Sequence, residues 1–157
     1  MKVKKLMQTS VATVRGNDTL TAVDDLMKTG WVRHLPVVDA TDRLLGVITQ
    51  RDVLKASMSS MAGADPVAHQ RWLEQVRVRD VMTKKPITIG PEADLSEVVD
   101  KLLLGKFGCL PVVEQGELVG LITETDLLRY LQTLLKVKRS SSRSSTQTAK
   151  KKPAAVK

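Results

Sequence analysis

Two short stretches carry the most suggestive chemistry in the chain: GVITQRDVL at residues 46–54 and GLITETDLL at residues 120–128. Each sets Thr and Asp three residues apart behind an apolar, β-forming run: Thr49 with Asp52, and Thr123 with Asp126. As a local signal this step is a capping box, in which Thr accepts from an amide of the first turn and the acid reaches back to the Thr amide. Asp is shorter than the usual Glu, so the sequence predicts an imperfect box, although an acid in the first turn suits the helix dipole. The same geometry can receive a ligand. Unpaired first-turn amides favour a phosphate, the Thr hydroxyl adds a donor, and a carboxylate one turn in can accept from both hydroxyls of a ribose.

A single copy would need only the capping explanation, but the two copies close a duplicated unit. Residues 6–27 align with 81–102 at an offset of 75, which pairs Met7 with Met82, Thr13 with Thr88 and Leu20 with Leu95. Pro36 falls on Pro111 at the same offset, and a one-residue deletion in the second turn makes the remaining offset 74. Each unit reads β-α-β-β-α. The runs VATV and ITI are β-branched, and DTLTAVDDLMKTG has helical spacing with Asp18 or Thr19 as N-cap and Gly30 as stop. LPVV and LLGVIT, or LPVV and LVGLIT, then flank a polar turn, and Thr49 or Thr123 opens a second helix. Pro36 and Pro111 require a strand start or an edge strand.

One such unit is too small to cover both its sheet and its helices, so the two are expected to pack together. The boundaries fall at 1–58 for the first repeat, 59–76 for a connecting helical linker, 77–135 for the second repeat and 136–157 for a tail. In the linker, Asp65-Pro66 is an N-cap followed by a first-turn proline, and Trp72 and His69 read as packing and surface residues.

The tail is Ser, Thr, Lys and Ala with little to bury, and disorder is expected beyond about residue 138. From residue 136 it holds eight Lys and Arg and no acid. Those eight account for the whole formal charge of +8, which leaves residues 1–135 neutral. A basic arm of this kind can touch nucleic acid, or it can simply solubilise the chain.

Catalytic constellations are missing. Two His and one Cys make no zinc spacing, and no nucleophile elbow, Walker loop or G-x-G-x-x-G is present. His34 and Cys109 occupy equivalent places before the two LPVV runs, but two ligands do not hold a metal, so no metal site is expected. No apolar run approaches a membrane span, and the lone Cys109 fits a reducing compartment. The expectation is a cytoplasmic, non-catalytic protein with no membrane partner.

Two β-α-β-β-α units, each with LPVV, a polar turn and Gly-h-h-Thr-x-x-Asp (h apolar), resemble a pair of CBS domains, the Bateman module. The resemblance covers roughly residues 3–131 and implies an α+β fold of tandem repeats packed as a pseudo-twofold pair. It also implies two clefts for adenosine ligands such as AMP, ADP, ATP or S-adenosylmethionine, frequent homodimerisation, and regulation of a separate partner protein in response to cellular energy state. By that resemblance the Asp grips the ribose, the Thr lies by the phosphates, and basic residues before LPVV contact phosphate.

Carried across, the first cleft comprises Thr49, Arg51, Asp52, Arg33 and His34, with Thr83, Thr88, Phe107, Gly108 and Cys109 lent by the second repeat. The second, weaker cleft has Thr13, Thr123, Thr125 and Asp126, with Gly108, Cys109 and Glu124 where cations would stand. Charge-assisted contacts to phosphate are the strong ones, so the first cleft is the expected nucleotide site. The alternatives are a nucleic-acid-associated protein acting through the basic tail and a structural dimerisation module with empty clefts.

Overall fold

The computed structural model describes residues 1–60 and 65–145. The chain forms two compact units, one spanning residues 1–123 and one beginning at Glu124.

In the first unit the order is α1 (Leu20–Gly30), β1 (His34–Val38), β2 (Leu44–Thr49), α2 (Gln50–Ser60), α3 (Pro66–Gln75), α4 (Val78–Val81), β3 (Thr83–Lys84), α5 (Leu95–Gly105), β4 (Cys109–Glu114) and β5 (Glu117–Thr123). Strands β1 and β2 form an antiparallel hairpin, and β3 adds to the far side of β2. Strands β4 and β5 form the equivalent hairpin. The registers match: His34 faces Thr49 in one hairpin and Cys109 faces Thr123 in the other.

The hydrophobic core of the first repeat gathers Leu20, Val23 and Met27 of α1, Leu35, Val37 and Ile48 of the hairpin, Val53 of α2 and Leu73 of α3. The Met27 position recurs one helical turn after Val23, as an amphipathic helix requires. Thr19, not Asp18, caps α1, accepting from the Ala22 amide at 3.2 Å, while the Asp18 carboxylate accepts from the Arg15 amide. In the linker, Asp65 caps α3 by accepting from the Val67 amide, and Trp72 packs half-buried on the core.

Two local expectations are corrected. VATV and ITI do not form strands. Each supplies a single parallel bridge, Val14 to Val37 and Ile89 to Val112, because only one residue of each run lines up with its neighbour. In the first, Val14 donates to the Pro36 carbonyl and accepts from the Val38 amide, so the missing N–H of Pro36 is not called on; the proline lies in an edge strand. Helix α1 does end at Gly30, but the left-handed capping residue is not the glycine. Trp31 takes the left-handed conformation at φ 52°, as Lys106 does after α5. Helix α6 runs from Glu124 to Ser145. The rest of the tail lies outside the described residues.

The leading segments of the two repeats are exchanged. Val3 donates to the Ala93 carbonyl, Leu95 donates to Met1, and the Gln8 and Leu121 amides exchange bonds at 2.9 Å. Seventy-five residues on, the pattern recurs: Val78 donates to Asp18, Leu20 to Val76, and Thr83 and Lys84 pair with Val47 and Gly46. Residues 1–8 thus complete the second repeat's sheet, and residues 76–84 complete the first. The hairpin tips also meet, with Leu118 donating to Asp42 and Leu44 to Gly116. This pairing gives the first unit its pseudo-twofold symmetry.

Candidate functional site

The end of β2 and the start of α2 place the first Thr-x-x-Asp. The Asp52 Oδ2 accepts from both the Thr49 amide (2.8 Å) and the Thr49 hydroxyl (2.7 Å), while Thr49 Oγ1 accepts from the Asp52 amide at 3.2 Å. Both arms of the box are therefore made, and the imperfect fit expected from the shorter acid does not occur. All of the carboxylate's bonds fall on Oδ2. Among the described residues Oδ1 has no hydrogen-bond partner, and Asp52 is half-buried. One oxygen closes the helix start and the other remains an acceptor. That division makes the cap with one oxygen and leaves an acceptor beside it.

Around this pair, the Gln50 amide donates to the Arg33 carbonyl at 2.9 Å, which fixes the backbone of Arg33 against the residue preceding Arg51. Both arginines are exposed, and His34, opposite Thr49 in register, is half-buried. Two expected contributions from the second repeat touch the first directly. Thr83 pairs with Val47 in β2, and the backbone of Gly108 lies under the His34 imidazole. Cys109 is buried with Val47 and Leu121, where the two sheets meet. Thr88 and Phe107 are tied instead to their own repeat. The Thr88 carbonyl accepts from Lys101 Nζ at 3.1 Å, and the Phe107 ring folds onto Gly105.

Of the residues expected in the second cleft, Thr13 is exposed beside the Val14 bridge and Thr123 ends β5 opposite Cys109. In helix α6, Glu124 and Thr125 are exposed in the first turn and Asp126 is 6% exposed.

The exchanged strand β3 was not foreseen. It seats because Gly46 has no side chain: a Cβ there would stand 2.6 Å from the Thr83 carbonyl oxygen and 2.8 Å from Met82 Sδ. Gly120 repeats the arrangement with the Gln8 carbonyl and Met7 Sδ, both at 2.8 Å. The signal lay in the letters, since both Gly-h-h-Thr runs begin on a glycine and both leading segments carry a methionine at the matching place. Among the described residues, no three or more His, Cys, Asp or Glu side chains gather to hold a metal, and no helix is long and apolar enough to cross a membrane.

A tandem pair of α+β repeats with exchanged leading segments and two Thr-x-x-Asp helix starts is the class this fold defines. The CBS domain model matches residues 3–59 and 78–133, and the chain belongs to that family. A CBS domain-containing protein of Dictyostelium discoideum is 32% identical over 137 residues, covering 85% of this chain and 92% of that protein. An inosine-5'-monophosphate dehydrogenase of Korarchaeum cryptofilum is 36% identical over 74% of this chain, and a homoserine O-acetyltransferase of Methanococcus vannielii is 29% identical over 80%. The chain spans only 21% and 24% of those two enzymes.

Among solved structures, an acetoin utilization protein of Vibrio cholerae superposes with a TM-score of 0.74 at 33% identity, over 89% of this chain and 96% of that one. CBSX2, solved in complex with AMP, gives 0.71 at 24% identity over 85% and 97%. The CBS domain pair of MJ0100, solved with 5'-methylthioadenosine and S-adenosyl-L-methionine, gives 0.72 at 22% over the same 85% and 97%. The last two show a shared fold.

Proposed function

We propose that the chain is a non-catalytic regulatory module that binds an adenosine nucleotide in its first cleft and reports occupancy to a separate partner protein. The observation that carries this reading is the divided carboxylate of Asp52, with Oδ2 held by Thr49 and Oδ1 left to accept. A ribose has two adjacent hydroxyl donors, and a half-buried carboxylate oxygen at a helix start suits them. Thr49 and the first-turn amides of α2 face the adjoining phosphate, and Arg33, His34 and Arg51 supply the charge. Thr83, Gly108 and Cys109 close the cleft from the second repeat, with Thr88 and Phe107 at its margin. The adenosine complexes of CBSX2 and MJ0100 support the ligand class.

Occupancy draws the two repeats together across the exchanged strand β3, and that movement is what a partner reads. The second partner is a second copy of the chain. Helix α5 exposes Val99, Leu103 and Leu104, the last two at 72% and 86%. Their counterparts in α1 are Asp24, Lys28 and Thr29, with Lys28 paired to Asp24. An apolar outer face on one of two duplicated helices suits an isologous interface.

Mass spectrometry of small molecules released from protein purified without added nucleotide tests the reading, together with calorimetry against AMP and ATP. Recovery of an adenosine nucleotide and saturable binding at one site per chain is the expected result. A chain that carries none and binds none is the outcome that sinks it.

A further inference from the structure

We propose that Gly108 is the specificity-determining position that makes the two clefts unequal, and that it acts as a positioning residue for His34. The inference rests on the nucleotide-binding reading above and assigns it a cause. At the offset of 75, Gly108 is the counterpart of Arg33 and Cys109 is the counterpart of His34. His34 and Cys109 open β1 and β4, each opposite the Thr of its own hairpin. An arginine at residue 108 would restore to the second cleft the cation that the first possesses.

The place such a side chain would occupy is already taken. A Cβ built on Gly108 stands 2.5 Å from His34 Nε2 and 2.9 Å from Cε1, well inside van der Waals contact. The imidazole therefore crosses from the first repeat onto the backbone of the second, and it can do so only because residue 108 carries no side chain. Backbone conformation is not the reason for the glycine. Among the described residues Gly116 is the one glycine with a positive φ, so residue 108 would accept an L-side chain as far as its own backbone is concerned. What an added Cβ meets is the tip of a ring that can rotate away, so the fold survives the substitution and the ring does not keep its place. One glycine thus removes the phosphate-binding charge from the second cleft and fixes an imidazole beside Arg33 in the first.

The test is a double-substitution cycle on the full chain: the parent, Gly108→Ala, His34→Ala and the pair, each titrated with AMP by calorimetry. Alongside it, the two imidazoles of the protein, His34 and His69, are followed by NMR. Gly108→Ala is expected to weaken AMP binding about fivefold or more, as is His34→Ala, with the pair no weaker than His34→Ala alone. The His34 ring signals should move in Gly108→Ala while those of His69 stay. Parent-like AMP affinity in Gly108→Ala overturns the proposal. So does a loss that persists in full when His34 is already alanine, because Gly108 would then act through the fold. A parent that binds no AMP overturns the nucleotide reading instead, and the positioning claim then stands or falls on the His34 signals.

Discussion

The two repeats share a backbone plan and differ at the places where a ligand or a partner would touch them. Strand register, exchanged leading segments and the glycine under each exchanged strand are the same in both copies. Around the first Thr-x-x-Asp stand Arg33, His34 and Arg51; the second copy has Gly108, Cys109 and Thr125 at those positions. On the outer helices the contrast runs the other way, with charged Asp24 and Lys28 on α1 and apolar Val99 and Leu103 on α5. What a duplicated fold must keep is the set of positions where backbones approach closely. What it can vary is the side chains that face outward or into a cleft. The first repeat carries the more charged surround of its Thr-x-x-Asp, and the second the more apolar outer helix.

Several substitutions would break or sharpen this contrast. The largest effect on stability is expected at the shared feature. Gly46→Ala drives a Cβ into the Thr83 carbonyl, a backbone atom that cannot rotate aside. Overpacking of that kind costs about 1–3 kcal/mol. The melting midpoint should fall by roughly 2–10 °C, and Gly120→Ala, against the Gln8 carbonyl, should lower it similarly. Unequal losses would show that the exchange matters in one repeat only.

Leu103→Glu should next abolish the proposed self-association through α5, read by light scattering, with little change in melting midpoint. Lys28→Glu at the matching place on α1 should leave that proposed self-association unchanged. Thr49→Val removes a cap hydroxyl that makes two bonds, and a loss of about 1 kcal/mol is expected by denaturant titration.

The smallest effect belongs to the hairpin turns. Asp39 Oδ1 accepts from the Thr41 amide and hydroxyl and from the Arg43 amide, and the Thr41 hydroxyl bond above all holds the carboxyl below its ordinary value. A depressed value means that the stabilisation is present above the unfolded carboxylate range, near pH 4, and is lost as pH falls through the lower folded value. The melting gap between the parent and Asp39→Asn should therefore be open at pH 7 and close in acid. In the second repeat the corresponding turn runs through Gln115 and Gly116, both at positive φ.

The duplication, the hairpins, the cap at Thr49 and the linker cap at Asp65 could all be read from letters, because each rests on local spacing or on the match between copies. The exchange of leading segments could not. It depends on a two-residue strand meeting a glycine 37 positions away, and nothing in the run Met82-Thr83-Lys84 says which sheet it joins. VATV and ITI misled for the opposite reason: β-branched residues favour extended backbone, but pairing needs a neighbour along their full length. Within the site, the letters named Asp52 and could not divide its two oxygens. Gly108 was visible as a missing cation. Its role beneath the His34 ring depended on a distance between the repeats.

The proposed ribose contact of Asp52 is the central claim, and Asn is the informative replacement. An Asn oxygen can still accept from Thr49 and keep the helix start, while its amide group cannot accept from ribose hydroxyls at the Oδ1 position. Calorimetry with AMP on the parent, Asp52→Asn and Asp126→Asn tests it. The predicted result is a loss of about 10- to 100-fold for Asp52→Asn at nearly unchanged melting midpoint, with the high-affinity site intact in Asp126→Asn. Parent-like affinity in Asp52→Asn, or a loss confined to Asp126→Asn, would contradict it.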